Sequence, residues 1–415
     1  MPDLIARWLE QRLRQALSER RVVLLAGARQ TGKTTLARAL AASDGEYRNL
    51  DGRLMRESAE ADPHSFVRHK TRLLVIDEAQ RAPDLLPAIK LAVDEDDRLG
   101  QYLLTGSAEL GAVPSVRESL AGRVARLRLR PLTQGEIAGC RPHFLSRAFA
   151  GQFETMQGDT ERDALLELGI RGGYPEPLRL SERARRGWHR DYIAALLDRD
   201  LKDIARIQRM AAMRDLIEAL AAWSSRTIDI AGIGSRLSIR RPTIESYINA
   251  LEALYLVERL PAWTRTDYAR AGSKDKLFMT DGGLMATVLD WRFDQIRFDS
   301  DRAGKLVETF AFTELAAQID AGDTYRLHHY RDWEQREIDF LVERIEDGAL
   351  IGIEIKAAAS AATRDFRHLA WFRDNLAKDR RFIGITLYAG HRAMGFGENL
   401  WAVPFGALWS VPDRA

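Results

Sequence analysis

Residues 22–36, which read VVLLAGARQTGKTTL, limit the possible folds of this chain more than any other segment. The apolar run at 22–25 is typical of a buried strand, and it leads directly into a glycine-rich turn and then a helix-forming stretch. The turn contains the four residues of the phosphate-binding pattern G-x-x-x-x-G-K-S/T, namely Gly27, Gly32, Lys33 and Thr34. Because strand, turn and helix follow in the order that this pattern requires, the segment predicts a P-loop.

The residue types in this loop suit a triphosphate and its metal ion. Glycines let backbone N–H groups curl around phosphate oxygens, and the N-terminus of the following helix adds its positive dipole end. Lys33 would place a charge near the β- and γ-phosphates, and the Thr34 hydroxyl can ligate Mg²⁺. We therefore expect ATP to be contacted by Gly27, Ala28, Arg29, Gln30, Thr31, Gly32, Lys33, Thr34 and Thr35.

A second apolar run, at 73–76, predicts another buried strand, and this one ends in the acidic pair Asp77 and Glu78. This is the layout of a Walker B segment. Asp77 is expected to hold Mg²⁺, directly or through water, and Glu78 to polarise the attacking water. Together with the P-loop, the acidic pair predicts catalysis of ATP hydrolysis.

A third apolar strand, at 102–104, ends in Thr105, Gly106 and Ser107. Thr105 could sense the γ-phosphate, as sensor 1 does in AAA+ proteins, or Thr105 and Ser107 could only cap the next turn. Parallel strands that end in polar groups at one edge predict a doubly wound nucleotide site. Arg123 follows and is a candidate arginine finger for a neighbouring subunit, which would require at least a dimer; an ordinary surface ion pair is the alternative.

Composition sets broad limits on the class of protein. The chain has 415 residues, enough for two or three domains, and its formal net charge of +2 favours neither presence nor absence of nucleic acid. The single cysteine, Cys140, fits a reducing cytosol, so we expect a cytoplasmic protein. No apolar run approaches the ~20 residues that a spanning helix needs, so no membrane partner is expected.

Residues 123–207 lead from the core to a helical region. Arg126, Arg128 and Arg130 alternate with leucines, and we favour a solvated basic strand face as their interpretation. The residues from 132 to 207 are mostly of helical type, interrupted by RGGYPEP at 171–177, where glycines and prolines force a turn. This pattern suits a helical lid over the nucleotide.

Residues 208–298 suggest a winged helix-turn-helix. Ile244, Ile248 and Leu251 form the apolar stripe of the third helix, and two strand patterns that could form a wing follow it. The opposite helix face carries side chains that contact phosphates and base edges when such a helix enters a major groove: Arg240, Arg241, Thr243, Ser246 and Asn249. DNA is therefore an expected partner, with domain packing as the alternative.

The region from 299 to 415 carries spaced carboxylates. Asp339 lies in a strand pattern, and Glu354 and Lys356 share one face of the next strand. This is the layout of PD-(D/E)xK nucleases, in which Asp339 and Glu354 would bind Mg²⁺ or Mn²⁺ and Lys356 would activate water. Glu308, from the preceding helix, could add a further ligand to this metal.

In this order the segments resemble the bacterial and archaeal AAA-type ATPases that carry a C-terminal domain of unknown function numbered 4143. The resemblance covers nearly the whole chain and is carried by GARQTGKTT, LLVIDEAQ, LLTGSAE, SLAGR, RGGYPEP, IESYINALEALYLVERLPAW, KLFMTDGGL, GKLVETFAFTEL, REIDFLVE and IGIEIK. It implies ATP binding, an AAA+-like core, a winged helix and a restriction-endonuclease-like C-terminal fold.

These observations predict an α/β protein with a P-loop NTPase core of the AAA+ type, a helical lid, a winged helix-turn-helix and a restriction-endonuclease-like α/β domain. The expected boundaries are 1–131, 132–207, 208–298 and 299–415. The leading hypothesis is an Mg²⁺-dependent ATPase, expected to be a homo-oligomer, whose nucleotide state controls a DNA-associated, nuclease-like C-terminal module. The alternatives are an ATP-gated metal-dependent DNA nuclease and an ATP switch that serves protein interaction or signalling.

Overall fold

The computed structural model describes residues 4–106, 122–201, 210–266 and 273–409. Ser107 and most of the SLAGR segment lie outside these ranges, so the alternatives for Ser107 are not addressed by the structure. In the described part of the chain, no helix has the length and apolar character needed to cross a membrane.

The N-terminal part is a five-stranded parallel sheet with helices on both faces. Its strands are β1 (Val22–Ala26), β2 (Gly45–Asn49), β3 (Leu73–Asp77), β4 (Tyr102–Gly106) and β5 (Val124–Arg128). Their spatial order is β2-β3-β4-β1-β5, so β1 lies between β4 and β5. The helices of this part are α1 (Leu9–Glu19), α2 (Lys33–Asp44), α3 (Arg53–Ala61), α4 (Pro63–Val67) and α5 (Leu85–Glu95).

Burial on both faces explains why the central strands β1, β3 and β4 are mostly continuous apolar runs. Val22 and Leu24 pack on one face with the residues of α5, while Val23 and Leu25 pack on the other with α1 and α2. A strand covered on both sides by helices needs apolar side chains at every position. The sheet thereby brings the carboxyl ends of β1, β3 and β4 to one edge.

A helical region follows the sheet. It contains α6 (Gln134–Ile137), α7 (Phe144–Ala150), α8 (Arg162–Arg171) and α9 (Glu182–Ala195), and α9 continues into a π-helical turn at Leu196–Asp200. Gly173 N donates to the side chain of Asp281, and its carbonyl accepts from Leu132 N, so the RGGYPEP turn is pinned between two parts of the chain.

The next unit combines three helices with a three-stranded antiparallel sheet. The helices are α10 (Met210–Ala222), α11 (Ile230–Leu237) and α12 (Arg241–Ala253), and the strands are β6 (Arg226–Thr227), β7 (Val257–Leu260) and β8 (Lys276–Met279) in the order β6-β8-β7. The apolar stripe of α12 is buried. Two further helices, α13 (Gly282–Val288) and α14 (Phe293–Ile296), lead to the C-terminal part.

The C-terminal part is a mixed six-stranded sheet beside the long helix α15 (Ser300–Asp320). Its strands are β9 (Tyr325–Arg331), β10 (Glu337–Arg344), β11 (Leu350–Lys356), β12 (Phe382–Tyr388), β13 (Met394–Gly395) and β14 (Leu400–Pro404), with α16 (Arg367–Asn375) between β11 and β12. The order is β13-β14-β12-β11-β10-β9; β9, β10 and β11 are antiparallel, whereas β11, β12 and β14 are parallel.

One apolar cluster joins the regions that follow the N-terminal sheet. It contains Phe149 and Leu197 of the helical region, Ile248 of α12, Phe312 of α15 and Ile353 of β11. A continuous core of this kind means that the helical, three-helix and C-terminal regions pack against one another directly.

Candidate functional site

The loop between β1 and α2 has the backbone conformation that its glycines permit. Gly27 has a φ of +145°, and a Cβ there would lie 2.3 Å from the carbonyl oxygen of Leu129. Gly32, at the N-cap of α2, is left-handed with a φ of +98°. Any other residue would be strained at either position, so these two glycines allow the loop to wrap closely.

Lys33 lies inside this loop. Its Nζ donates to the carbonyl oxygens of Gly27 at 2.8 Å and Ala28 at 2.7 Å, and the residue is 5% exposed. Burial lowers the pKa of Lys33 to about 8, although the negative charges of Glu78 and Asp77 partly oppose that shift. Because carbonyl groups, and no carboxylate of the residues that the structure describes, hold the ammonium, its charge is left available for an anion.

Hydroxyl groups from three strands or helices surround Asp77, the last residue of β3. Thr34 Oγ1 donates to Asp77 Oδ2 at 2.9 Å, and Thr105 Oγ1 donates to Asp77 Oδ1. Tyr47 OH, from β2, also donates to Oδ2. Burial, followed by the hydrogen bond to Asp77, raises the pKa of Tyr47 to about 12. The structure thus brings together the predicted residues Thr34, Asp77 and Thr105.

Glu78 adopts a left-handed backbone conformation with a φ of +59°, which is uncommon for a residue with a side chain. Its N–H donates to Thr105 Oγ1 at 3.1 Å, and its carboxylate accepts from Gln80 Nε2. The turn therefore places the Glu78 carboxylate at the same sheet edge as Thr105. Such strain is common where a side chain must be directed into a site.

Arg123 lies just before β5 and forms an ion pair with Asp94. Its Nε is 2.7 Å from Asp94 Oδ1, and its Nη2 is 3.1 Å from Oδ2. Both side chains are about one-third exposed, at 33% and 36%. Of the two interpretations of Arg123, this conformation matches the surface ion pair, and the arginine-finger role stays a prediction.

A cavity of about 400 Å³ adjoins the loop. Its walls come from the N-terminal segment, the start of α2, the RGGYPEP turn and the residues just after it, with Ile5, Arg7, Thr31, Thr35, Leu36, Pro175 and Arg179 among the lining residues. Arg7 supports the wall: its Nη1 donates to the carbonyl of Thr31 at 2.7 Å, and its Nε pairs with Glu136 at 3.0 Å. Apolar side chains such as Ile5, Leu36 and Pro175, mixed with polar ones and placed beside a phosphate-binding loop, suit a flat aromatic base.

Arg128 and Arg130 do not form a solvated face, which corrects the prediction for this strand. Arg128 Nη1 and Arg130 Nη1 contact Glu258 Oε2 of β7 at 2.6 and 2.7 Å, and Arg130 Nε contacts Asp320 of α15 at 2.5 Å. Despite burial, these two arginines lower the pKa of Glu258 to about 2. Arg126 alone faces solvent. A buried ion network therefore connects the first sheet to the two later regions.

The C-terminal carboxylates also converge, but around a lysine that the sequence did not indicate. Lys276, the first residue of β8, is fully buried, and its Nζ lies 2.5 Å from Glu308 Oε1, 2.8 Å from Glu337 Oε1 and 3.2 Å from Asp339 Oδ1. Burial alone would lower the pKa of Lys276, but the charges of these carboxylates raise it well above the ordinary value.

Glu354 lies at the same cluster. Phe340 pairs with Ile353, which sets Asp339 beside Glu354 on adjacent antiparallel strands, and Ile355 N donates to Asp339 Oδ2 at 2.9 Å. Glu354 is 8% exposed, and among the described residues its Oε1 has no hydrogen-bond partner. Burial, followed by the charge of Asp339, raises the pKa of Glu354 well above its ordinary value.

This arrangement does not fit a bound divalent metal. The predicted ligands Glu308, Asp339 and Glu354 are gathered as expected, with Lys356 two residues beyond Glu354, but an ammonium group stands among them. No group of three acidic, histidine or cysteine residues in the described ranges is arranged to hold a metal ion. Metal binding by these residues, with Mg²⁺ or Mn²⁺, stays a prediction.

Sequence reasoning missed four participants: Tyr47, Glu258, Lys276 and Glu337. Tyr47 lies two residues before the end of β2, next to β3, so strand-end reasoning could have found it. Lys276 begins an apolar strand, and neither it nor Glu337 carries a local signal. Lys276 is separated from Asp339 by 63 residues, and only tertiary packing brings them together.

Three family models match successive segments of the chain. An AAA domain matches residues 19–138, a domain of unknown function (DUF8612) matches 162–295, and a second domain of unknown function (DUF4143) matches 303–408. The DUF8612 match spans both the helical region after α7 and the three-helix unit.

Two bacterial relatives match the chain along most of its length. Rv2008c of Mycobacterium tuberculosis and Mb2031c of Mycobacterium bovis are each 30% identical over 395 residues, which is 95% of this chain and 82% of each relative. Among solved structures, the Thermotoga maritima RuvB Holliday junction branch migration motor is 17% identical, with a TM-score of 0.28 over 63% of this chain and 92% of that one. A DNA replication initiation factor is 12% identical, with a TM-score of 0.24 over 76% and 92%. The chain belongs to the family of AAA-type P-loop ATPases that carry a C-terminal DUF4143 domain.

Proposed function

We propose that this ATPase hydrolyses ATP at the edge of the first sheet and transmits the nucleotide state to a DNA-associated module formed by its later regions. The proposal of ATP hydrolysis rests on the buried ammonium of Lys33. Two loop carbonyls hold this group beside the Thr34–Asp77 pair. A buried cation that has no carboxylate partner in the described part of the chain, next to two hard oxygen ligands, suits a polyphosphate with its divalent ion.

ATP and Mg²⁺ fit the residues present. The cradle at Gly27 and Gly32 leaves no room for a Cβ at the first position and needs a left-handed residue at the second, as a backbone that wraps around phosphate requires. Thr34 Oγ1 and Asp77 Oδ2 would hold Mg²⁺, since they are 2.9 Å apart and both are oxygen ligands. When bound, the ion would supply positive charge to the phosphate oxygens.

Each residue of the site then has a distinct role. Lys33 exchanges its two carbonyl contacts for phosphate oxygens, and Glu78 orients and polarises the attacking water. Thr105, whose hydroxyl donates to Asp77, holds that carboxylate in position and would sense the γ-phosphate from the end of β4. The backbone N–H groups of the loop from Ala28 to Thr35 bind the remaining phosphate oxygens. The cavity beside Ile5 and Pro175 receives the adenine ring.

The contacts of Arg130 connect the nucleotide loop to the later regions and could transmit the nucleotide state between them. Arg130 contacts Glu258 and Asp320 through its side chain, and its carbonyl oxygen accepts from Arg7 Nη2 at 2.6 Å. Arg7 in turn contacts Thr31 of the nucleotide loop. A movement of that loop on hydrolysis would therefore displace groups that are paired across three regions of the chain.

For the DNA-associated part, we propose that α10 to α12 with β6 to β8 form a winged helix. The exposed face of α12 carries the side chains suited to a major groove: Arg240, Arg241, Thr243, Ser246 and Asn249. Arg241 pairs with Glu245, and Asn249 accepts from Arg259, so contact with DNA would replace these weak surface contacts.

The experiment is ATP turnover and duplex DNA affinity at low salt, where phosphate contacts are strongest. Lys33→Ala should abolish turnover, and Arg241→Ala should weaken DNA binding. Arg53→Ala is the matched control because Arg53 is also exposed and paired with a glutamate four residues later. Unchanged turnover in Lys33→Ala would refute the ATP site; no DNA affinity in the wild type would refute only the DNA-associated part.

Between the two alternatives, the position of Lys276 favours a non-nuclease ATP switch over an ATP-gated nuclease. A metal-dependent nuclease needs a cation held by Asp339 and Glu354 beside Lys356, and the Lys276 ammonium lies within that set. We expect no plasmid nicking by the wild type in Mg²⁺ or Mn²⁺ with any nucleotide. Nicking that disappears in Asp339→Ala and Lys356→Ala would reverse this preference.

We also propose that the protein forms a homo-oligomer in which Arg123 acts on the nucleotide of a neighbouring subunit.

A further inference from the structure

The acidic cluster of the C-terminal sheet and Lys276 come from different regions of the chain. Glu308 lies on α15, Glu337 and Asp339 lie on β10, and Glu354 lies on β11, whereas Lys276 belongs to the three-stranded sheet of the preceding unit. The lysine is 0% exposed, and Glu308 and Asp339 are each 15% exposed. Burying an ammonium to this degree is costly unless carboxylates compensate it closely, as these do.

The charge of the cluster is only partly balanced. Four carboxyl groups, those of Glu308, Glu337, Asp339 and Glu354, meet one buried lysine; Lys276 pairs with the first three of them, and Arg331 Nη1 lies 3.8 Å from Glu337 Oε2. Glu354 is more than nine-tenths buried, and its Oε1 has no hydrogen-bond partner in the parts of the chain that the structure describes. A buried carboxyl oxygen without a partner, beside Asp339 in a cluster that already holds a cation, is expected of a ligand group that lacks part of its positive charge.

The cluster is also reachable. Glu308, Glu337 and Asp339 contribute to the wall of an open cavity of about 560 Å³ that lies next to α15 and β6. Lys276 is fully buried behind these three carboxylates. A hydrated divalent ion could enter from solvent, and the obstacle it would meet is the ammonium already in the cluster.

We propose that Lys276 is the resident cation of a latent divalent-metal site formed by Glu308, Asp339 and Glu354, and that its ammonium excludes Mg²⁺ and Mn²⁺ from that site. The carboxylates supply hard oxygen ligands, and Lys276 Nζ contacts two of these three groups at distances that leave no space for an ion between them. This inference goes beyond the proposed ATPase function and does not depend on it, because the lysine and all three ligands lie outside the nucleotide site.

The test measures Mn²⁺ binding to the nucleotide-free protein. Electron paramagnetic resonance detects the Mn²⁺ that remains free in solution. Lys276→Met keeps the aliphatic length and removes the charge. It should bind one Mn²⁺ at least about tenfold more tightly than the wild type. Adding Glu354→Gln to Lys276→Met should abolish this increase in Mn²⁺ affinity. Lys305→Met is the matched control, since Lys305 lies on the same helix as Glu308, lines the same cavity and pairs with Asp301.

Two further measurements keep the test decisive if Lys276→Met folds poorly. Lys276→Met/Glu337→Gln removes one negative charge with the positive one and leaves the three proposed ligands intact; it should show the same gain. In thermal unfolding, Mn²⁺ should raise the Tm of the Lys276→Met proteins but not that of the wild type or Lys305→Met. Folded Lys276→Met protein without added Mn²⁺ affinity would overturn the proposal. So would a wild-type protein that already binds Mn²⁺ and loses it on Glu354→Gln.

Discussion

Lys33 of the nucleotide loop and Lys276 of β8 are both buried beside carboxylates, yet their surroundings differ in one decisive respect. Lys33 contacts the backbone carbonyls of Gly27 and Ala28, and the nearby Asp77 is occupied by hydroxyl groups. Lys276 contacts three carboxylates directly. The charge of Lys33 is therefore available for an incoming anion, whereas the charge of Lys276 is neutralised by carboxylates of the protein.

The pKa shifts follow the same division. Burial lowers the pKa of Lys33 to about 8, whereas the carboxylates around Lys276 raise its pKa despite complete burial. A site for a phosphate and its metal needs a cation and an acid that do not neutralise each other. A lysine near acidic residues can therefore belong to a site that is ready to bind an anion or to an internal ion cluster. The atoms that contact its ammonium group decide between the two.

The largest expected effect concerns stability. Lys276→Met should destabilise the protein by about 3–5 kcal/mol because it leaves buried carboxylates without their cation. Lys33→Met should cost less than about 1 kcal/mol, since it removes a buried charge whose hydrogen-bond partners among the described residues are carbonyl groups. Urea unfolding of both variants measures the difference. Equal destabilisation would contradict the contrast drawn between the two lysines.

The next effect concerns catalysis. Lys33→Ala should lower ATP turnover by about 10²-fold or more, since it removes a positive charge aimed at the reacting phosphate. Steady-state phosphate release at saturating Mg·ATP is the measurement, and Lys378→Ala, which alters an exposed lysine, is the control. A loss of similar size in Lys378→Ala would show that the assay reports folding rather than the site.

Glu314 is a buried carboxyl group that, among the described residues, has no lysine partner, in contrast to the carboxyl groups around Lys276. Glu314 of α15 accepts from Gln134 N at 2.8 Å, and burial raises its pKa to about 8. A raised carboxyl pKa means that the folded state holds a proton that the unfolded state has released. The stability from Glu314 is therefore full below its ordinary pKa of 4.5 and declines as pH rises to about 8.

Glu314→Gln should therefore flatten the loss of stability between pH 5 and 8, by up to about 1.4 kcal/mol per pH unit, the limit for one proton. The amide oxygen can still accept from Gln134 N. Chemical unfolding across this pH range measures the slope, with Glu60→Gln, at an exposed position of α3, as the control. An unchanged slope would show that Glu314 does not bind the additional proton.

The smallest effect is expected at Arg123. Because its ion pair with Asp94 is about one-third exposed, Arg123→Ala should change stability by less than about 1 kcal/mol. Asp94→Ala removes the same pair and is the matched control in thermal unfolding. If turnover fell about 10³-fold in Arg123→Ala but not in Asp94→Ala, the arginine-finger prediction would be supported instead.

The nucleotide site was predictable because its parts are local. Strand, glycine turn and helix lie within residues 22–36, and the carboxyl ends of parallel strands necessarily meet at one edge of the sheet. The prediction of an AAA-type core with a DUF4143 domain is confirmed by the family matches. The catalytic roles of Glu78, Thr105 and Arg123 stay predictions.

Partners distant in the chain were not predictable. The alternation at 126–130 correctly indicated a strand, but Arg128 was expected to face solvent and instead contacts Glu258, 130 residues later. The convergence of Asp339 and Glu354 followed from strand periodicity, whereas the lysine between the acidic groups belongs to another sheet. A single sequence carries no local pattern for a contact of this kind.

The amino-acid sequence by itself determined the order of the elements, the phosphate-binding loop and the strands that carry Asp77, Asp339 and Glu354, because short-range periodicity and glycine geometry specify them. Only the tertiary structure decided which charges neutralise one another. Lys33 is left with carbonyl partners and Lys276 is enclosed by carboxylates because packing between distant segments, rather than spacing along the chain, sets the distances between their charged atoms.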